Sequence, residues 1–118
     1  MARRETSEKQ QIALPRAAAA IDELLTDVQA SLFKAAGDEL ERRTLRDPSS
    51  YGEMIEYLRN AAGFVVAPWC GRSECEARVK DDSSATIRLL PLEQPAPVGA
   101  CVCCGRPAAT AAVWAQAY

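Results

Sequence analysis

Apolar positions recur at helical spacing through the first third of the chain. From Ala17, residues Ile21, Leu24, Leu25, Val28 and Leu32 follow at intervals of 3, 1, 3 and 4. That is one stripe of an amphipathic helix, continued through Leu40. Pro15 stands where such a helix begins, since the first turn has no use for its missing N–H. Gly37 weakens the helix by about 1 kcal/mol relative to alanine. Asp47-Pro48 is predicted to stop it, because the residue before proline is pushed out of helical geometry. A shorter helix is predicted from Ser50, where Ser50 and Glu53 match a capping box and Tyr51, Met54, Ile55 and Leu58 supply a buried face. Gly63 punctuates its end.

The period then changes. Phe64-Val65-Val66-Ala67 is a continuous apolar run, predicted to be a strand covered on both faces. Glu74 to Asp81 reads as a third short helix, and Ala85 to Leu90 as a second strand closed by Pro91. Glu93 to Pro97 is a loop with two prolines, and Ala111 to Ala117, carrying Trp114, is the last strand. The expected architecture is α+β, a long helix plus shorter helices packed on a small, mostly antiparallel sheet.

The chain has 118 residues, the size of one ordinary domain, and 48% apolar with 25% charged residues is a globular composition. A net charge of −2 provides no polycation to grip nucleic acid by charge alone. There is no histidine, which removes histidine-based triads, mixed cysteine–histidine metal sites and imidazole acid–base catalysis. No run approaches the ~20 apolar residues of a membrane span, and MARRETSEKQQ lacks the apolar stretch of a signal peptide. Five cysteines without a signal peptide point to a reducing, cytoplasmic setting in which clustered thiols usually mean metal.

The cysteines carry the strongest chemical signal. Cys70 and Cys75 form a C-x4-C pair, Cys101 and Cys104 a C-x2-C pair, and 25 residues separate Cys75 from Cys101. Two short-spaced pairs on turns leaving strands suit tetrahedral zinc, and four protein thiolates leave no position open for water, so the metal would be structural. Both turns read Cys-Gly-Arg, at Cys70-Gly71-Arg72 and Cys104-Gly105-Arg106. Glycine after a ligand lets the backbone turn tightly and aim N–H groups at sulfur. Zn2+ with four thiolates carries −2, which Arg72 and Arg106 are expected to offset. Cys103 would give a C-x-C bite that fits a zinc turn poorly and reads as a bystander. A disulfide or a redox pair on Cys101 and Cys104 is the competing reading, although Arg106-Pro107 disfavours the helix a redox motif would open.

GFVVAPWCG, then CEARVKDDSSATIRLLPLE, then CVCCGRPA, with AQAY at the end, resembles the C-terminal zinc domain of prolyl-tRNA synthetase, of the archaeal and eukaryotic type of that class II family. ARRETSEK resembles the family's ARRDTGEK, which belongs to the last part of its anticodon-binding domain. The resemblance covers essentially the whole chain. It implies that residues 1–14 are the remnant of the end of the anticodon-binding domain, or a tether, and that 15–118 are the zinc-binding domain. It places the family's zinc ligands on Cys70, Cys75, Cys101 and Cys104, and the family's active-site-facing terminal tyrosine on Tyr118. A tRNA contact would fall on Arg3, Arg4 and Lys9, although Glu5 and Ser7 depart from the pattern and the same charges read as a solvated tail.

The implied activity of the parent is ATP-dependent attachment of proline to tRNA(Pro), with ATP bound by domains absent from these 118 residues. This piece would brace the catalytic and anticodon-binding domains of a homodimeric enzyme and would charge no tRNA alone. A stand-alone zinc module binding RNA or protein is the alternative. Trp69 and Trp114 read as packing around the cysteines rather than as stacking platforms, and Arg42, Arg43 and Arg46 as a solvated helix end.

Overall fold

A computed structural model of the chain describes residues 1–4, 6–94 and 99–117. The chain divides into two compact units, Met1–Leu40 and Glu41–Tyr118.

In the first unit, the charged N-terminal segment is exposed, as expected, but its main chain is paired. Ala2 and Lys9 form an antiparallel bridge, flanked by Arg3 N donating to Glu8 O at 2.8 Å and Gln10 N to Met1 O at 2.9 Å. A single 3-10 turn, Leu14–Arg16, uses Pro15 at its start and leads into helix α1, Ala17–Arg42. The helix buries none of its residues. Leu24 and Val28 are half-covered, whereas Ile21, Leu25, Leu32 and Leu40 are exposed, so the stripe expected to be buried is largely open.

Helix α1 also ends earlier than Asp47-Pro48 predicts. Arg43 O is taken by Phe64 N at 2.7 Å, and Thr44–Arg46 enters the sheet as strand β1, which the local pattern did not indicate. Pairing with a strand twenty residues downstream, Thr44 opposite Phe64 and Arg46 opposite Val66, overrides local helical preference. Asp47 N then donates to Val66 O at 3.1 Å, so the residue before Pro48 closes a strand instead of a helix. Arg46, expected at a helix end, lies in β1 and pairs with Glu41 at 2.9 Å. Gly63 must be glycine here, because a Cβ would strike the Arg43 carbonyl oxygen and the Tyr57 hydroxyl.

Helix α2, Tyr51–Asn60, is capped by Ser50, whose Oγ accepts from Glu53 N at 3.2 Å. The Glu53 carboxylate does not complete the box on Ser50. It accepts from Ser49 N at 2.6 Å and Ser49 Oγ at 2.7 Å, one residue earlier. Strand β2, Phe64–Trp69, follows, then helix α3, Ser73–Ser83, strand β3, Ala85–Leu89, and strand β4, Thr110–Gln116. The strand order is β1-β2-β4-β3. β1 runs parallel to β2, while β2–β4 and β3–β4 are antiparallel, giving a mixed, mostly antiparallel sheet.

Helices α2 and α3 pack on one face of this sheet. Met54, Ile55 and Leu58 from α2 and Val79 from α3 meet Val65, Ala67, Ala85, Ala112 and Trp114. The β2 residues alternate, with Val65 and Ala67 buried, Val66 half-buried and Phe64 exposed, so one side is fully covered and the other only in part, where the continuous apolar run predicted cover on both. Trp69 and Trp114 stack edge-on, with ring centroids 6.5 Å apart, which confirms them as packing residues. Where β3 has ended, Gln94 Oε1 accepts from Ala111 N at 2.7 Å and continues the ladder with a side chain. Residues 95–97 of the expected proline loop lie outside the described residues.

Candidate metal centre

Two turns at one end of β2 build the site. The first leaves β2 at Trp69, places Cys70 at the strand end, and reverses through Gly71 at φ +80°, a left-handed backbone that a side chain would strain. Helix α3 then begins, with Cys75 buried near its start. Arg72 occupies the N-cap position, and its carbonyl accepts from Trp69 Nε1 at 3.2 Å.

The second turn is closed by the Ala100–Pro107 bridge, with Cys101 N donating to Arg106 O at 2.7 Å and Gly105 N to Cys101 O at 2.8 Å. Gly105 takes φ +70°, the same requirement that Gly71 meets in the first turn. The turn is fastened to β2 by Val102 N donating to Pro68 O at 3.1 Å and Ala109 N to Trp69 O at 2.8 Å. Those two main-chain bonds bring Cys101 and Cys104 to the Cys70 end of the strand.

The sulfurs of Cys70, Cys75, Cys101 and Cys104 all lie within 4.8 Å of one another. Cys70 and Cys75 are 3.5 Å apart, and Cys104 and Cys70 3.7 Å. A tetrahedron of sulfurs about 2.3 Å from a central zinc has edges of about 3.8 Å, so these separations fit one tetrahedral ion with little adjustment. None of the cysteines is in a disulfide. Four thiols converging on one point could hold a metal ion, and a soft all-sulfur donor set is compatible with zinc.

The surroundings push the thiols in different directions. Burial raises Cys75, and the hydrogen bonding of its own thiol within the cluster adds to the effect. Burial also raises Cys101, opposed by the backbone N–H groups of Cys104, Cys103 and Cys70. Cys104 is exposed, and the Arg106 N–H donated to its sulfur lowers it to about 7. Main-chain N–H groups aimed at sulfur are what glycine-containing turns were expected to supply.

Arg72 and Arg106 reach the site through their main chains, and both residues are exposed. Arg3 and Lys9 lie in the first unit, where Arg3 Nη2 donates to Ser31 Oγ at 3.4 Å and Lys9 pairs with Ala2. Arg4 is exposed in the same segment. Tyr118 lies outside the described residues. Cys103, which read as a bystander, is half-buried in the second turn and is not one of the four sulfurs that converge.

A family model described as "Prolyl-tRNA synthetase, C-terminal" matches residues 51–118, which include all five cysteines. The chain belongs to the prolyl-tRNA synthetase C-terminal family. Within it, the chain is similar to the proline–tRNA ligase of Chlorobium phaeobacteroides (strain BS1), at 42% identity over 128 residues covering 99% of this chain and 25% of the relative. It is 39% identical to that of Rubrobacter xylanophilus, with coverage of 100% and 24%, and 35% identical to that of Lachnospira eligens, with coverage of 98% and 24%. The chain thus spans about a quarter of the length of the curated relatives it matches. In this prolyl-tRNA synthetase C-terminal domain the Cys101–Cys104 pair lies in a turn with no helix following it, which is not the setting of a C-x2-C redox pair.

Proposed function

We propose that the chain is the structural C-terminal part of a proline–tRNA ligase, held together by one zinc ion on Cys70, Cys75, Cys101 and Cys104. The convergence of these four sulfurs within 4.8 Å carries this reading. Four-thiolate zinc is closed to water and substrate, so the ion would supply cross-linking and no catalysis. It would contribute on the order of 10 kcal/mol to folding, since an unfolded chain holds no preformed site. Arg72 and Arg106, exposed beside the two turns, offset the negative charge of the cluster.

In the parent enzyme the domain braces the catalytic and anticodon-binding domains and presents the carboxylate of Tyr118 to the active site. Residues 1–14 continue from the anticodon-binding domain or tether the chain to it, and Arg3, Arg4 and Lys9 face tRNA(Pro). ATP and proline are handled by domains outside these residues, in a cytoplasmic homodimer. The chain's own near-neutral charge supports this division of labour, because a stand-alone RNA binder needs a basic face.

The deciding measurement is metal content with thiol titration on the native chain, before and after a strong chelator. One zinc per chain, a chelator-induced fall in thermal midpoint, and a single readily reactive thiol at Cys103 are expected. No metal, with a Cys101–Cys104 disulfide, overturns the zinc reading. Charge reversal at both Arg72 and Arg106 should weaken zinc retention, and unchanged affinity would remove their assigned role.

A further inference from the structure

Helix α1 has two faces to cover, and its own unit covers one. Ala17, Ala20, Leu24, Val28 and Ser31, spaced 3, 4, 4 and 3 apart, are half-covered. The N-terminal segment lies against that face, with Arg3 Nη2 donating to Ser31 Oγ and with Arg3, Lys9 and Gln10 lining a cleft beside Leu24. Ile21, Leu25, Leu32, Phe33 and Leu40, spaced 4, 7, 1 and 7 apart, form a ridge on the adjacent face. All five are exposed, Leu25 by 61% and Phe33 by 78%. Five large apolar side chains along about 28 Å of helix mark a surface that another body covers.

We propose that this ridge docks onto the part of a proline–tRNA ligase chain that precedes these residues, so that α1 closes that preceding body and the zinc unit begins after it. This inference rests on the parent-enzyme reading above and is independent of the metal. The ridge ends at Leu40, where the structure divides into its two units, so it lies wholly outside the unit that carries the cysteines. The C-terminal family model matches only from Tyr51, which leaves α1 outside it as well. The relatives nevertheless align over 98–100% of this chain, which covers only 24–25% of each of them. Their counterpart of α1 is therefore joined, on its N-terminal side, to the larger remaining part of the enzyme. A helix tethered to that part meets it at high effective concentration, whereas a second copy of the chain would have to give up translational and rotational freedom to cover the same ridge. Docking there buries Leu25 and Phe33 at the middle of the ridge. It leaves the charged residues of the opposite face, Glu23, Asp27 and Lys34, in water.

The test fuses the full chain in place of the last quarter of the Chlorobium phaeobacteroides proline–tRNA ligase. Amide exchange in α1 is read by mass spectrometry in the fusion and in the full chain alone, with zinc content measured on both. Exchange across the ridge should be at least about tenfold slower in the fusion. Leu25→Lys together with Phe33→Lys should abolish that protection, since lysine keeps the helix propensity but loses its hydration on burial. In the chain alone the same double variant should leave exchange and thermal midpoint unchanged, because both side chains are exposed there. Equal exchange in the fusion and the chain alone, or a fusion that precipitates where the unmodified Chlorobium ligase stays soluble, overturns the inference. So does a full chain that sediments as a dimer and becomes a monomer in the double variant, which would assign the ridge to a second copy. A fusion that protects α1 but attaches no proline to tRNA supports the docking and counts against the activity proposed for the parent enzyme. Absence of zinc with α1 protected likewise supports the docking and counts only against the metal reading.

Discussion

Tyr51 shows how a single side chain joins two helices. Its hydroxyl donates to Asp82 Oδ2 at 2.7 Å, and the Arg78 guanidinium lies 4.7 Å over its ring, so α2 is tied to α3 by both ends of one residue. Burial, and then the hydrogen bond to Asp82, push the phenol well above its ordinary value of 10.0. The folded chain therefore favours the neutral phenol. The stability this adds is fully present below pH 10 and is lost as pH rises further, because the unfolded chain ionises first. The urea midpoint of the wild type should fall above pH 10, and that of Tyr51→Phe should fall less steeply. Ser50→Ala, which removes the α2 cap, should cost about 1 kcal/mol in the same unfolding experiment. The helical spacing makes Tyr51 legible as a residue of the packed face. Its partner Asp82, 31 positions away, carries no local sign of the pairing.

Among the elements, β2 is the hub, since it pairs with β1 and β4, packs against α2 and anchors the second cysteine turn through the Pro68 and Trp69 carbonyls. Trp114 stands opposite Val65 on the neighbouring strand and is 1% exposed, so Trp114→Ala should cost about 3–5 kcal/mol in denaturant unfolding. Helix α1 is at the other extreme. With no buried residue, its amides should exchange with solvent deuterium faster than those of β2 and β4, as hydrogen-exchange mass spectrometry would read directly. The sequence made α2, β2, α3, β3 and β4 visible because each has its own period or cap. It hid β1, whose three residues become a strand only through β2, and it hid which side of β2 is less covered, because Phe64 and Val66 are as apolar as the neighbours that are fully buried.

For the molecule as a whole, metal binding should be coupled to protons in a pH-dependent way. Cys104, lowered to about 7 by the Arg106 N–H, is largely thiolate at pH 8 and largely thiol at pH 6. Cys75 and Cys101, both raised by burial, hold their protons at either pH. Zinc uptake at pH 6 should release about one proton more than at pH 8, and affinity should fall as pH falls. Calorimetry in buffers of different protonation heat measures the difference, and equal release at both pH values would contradict it. The four converging cysteines were legible from spacing because each pair is local in the sequence. That the two turns meet depends on Val102 N reaching Pro68 O and Ala109 N reaching Trp69 O, main-chain contacts that no side-chain pattern reports.

Those same two bonds leave the second turn little latitude. They hold Val102 and Ala109 to the consecutive carbonyls of Pro68 and Trp69, so the length of the turn is matched to one short span of β2. One residue inserted between Cys101 and Cys104 would break that match and swing a sulfur away from its three companions.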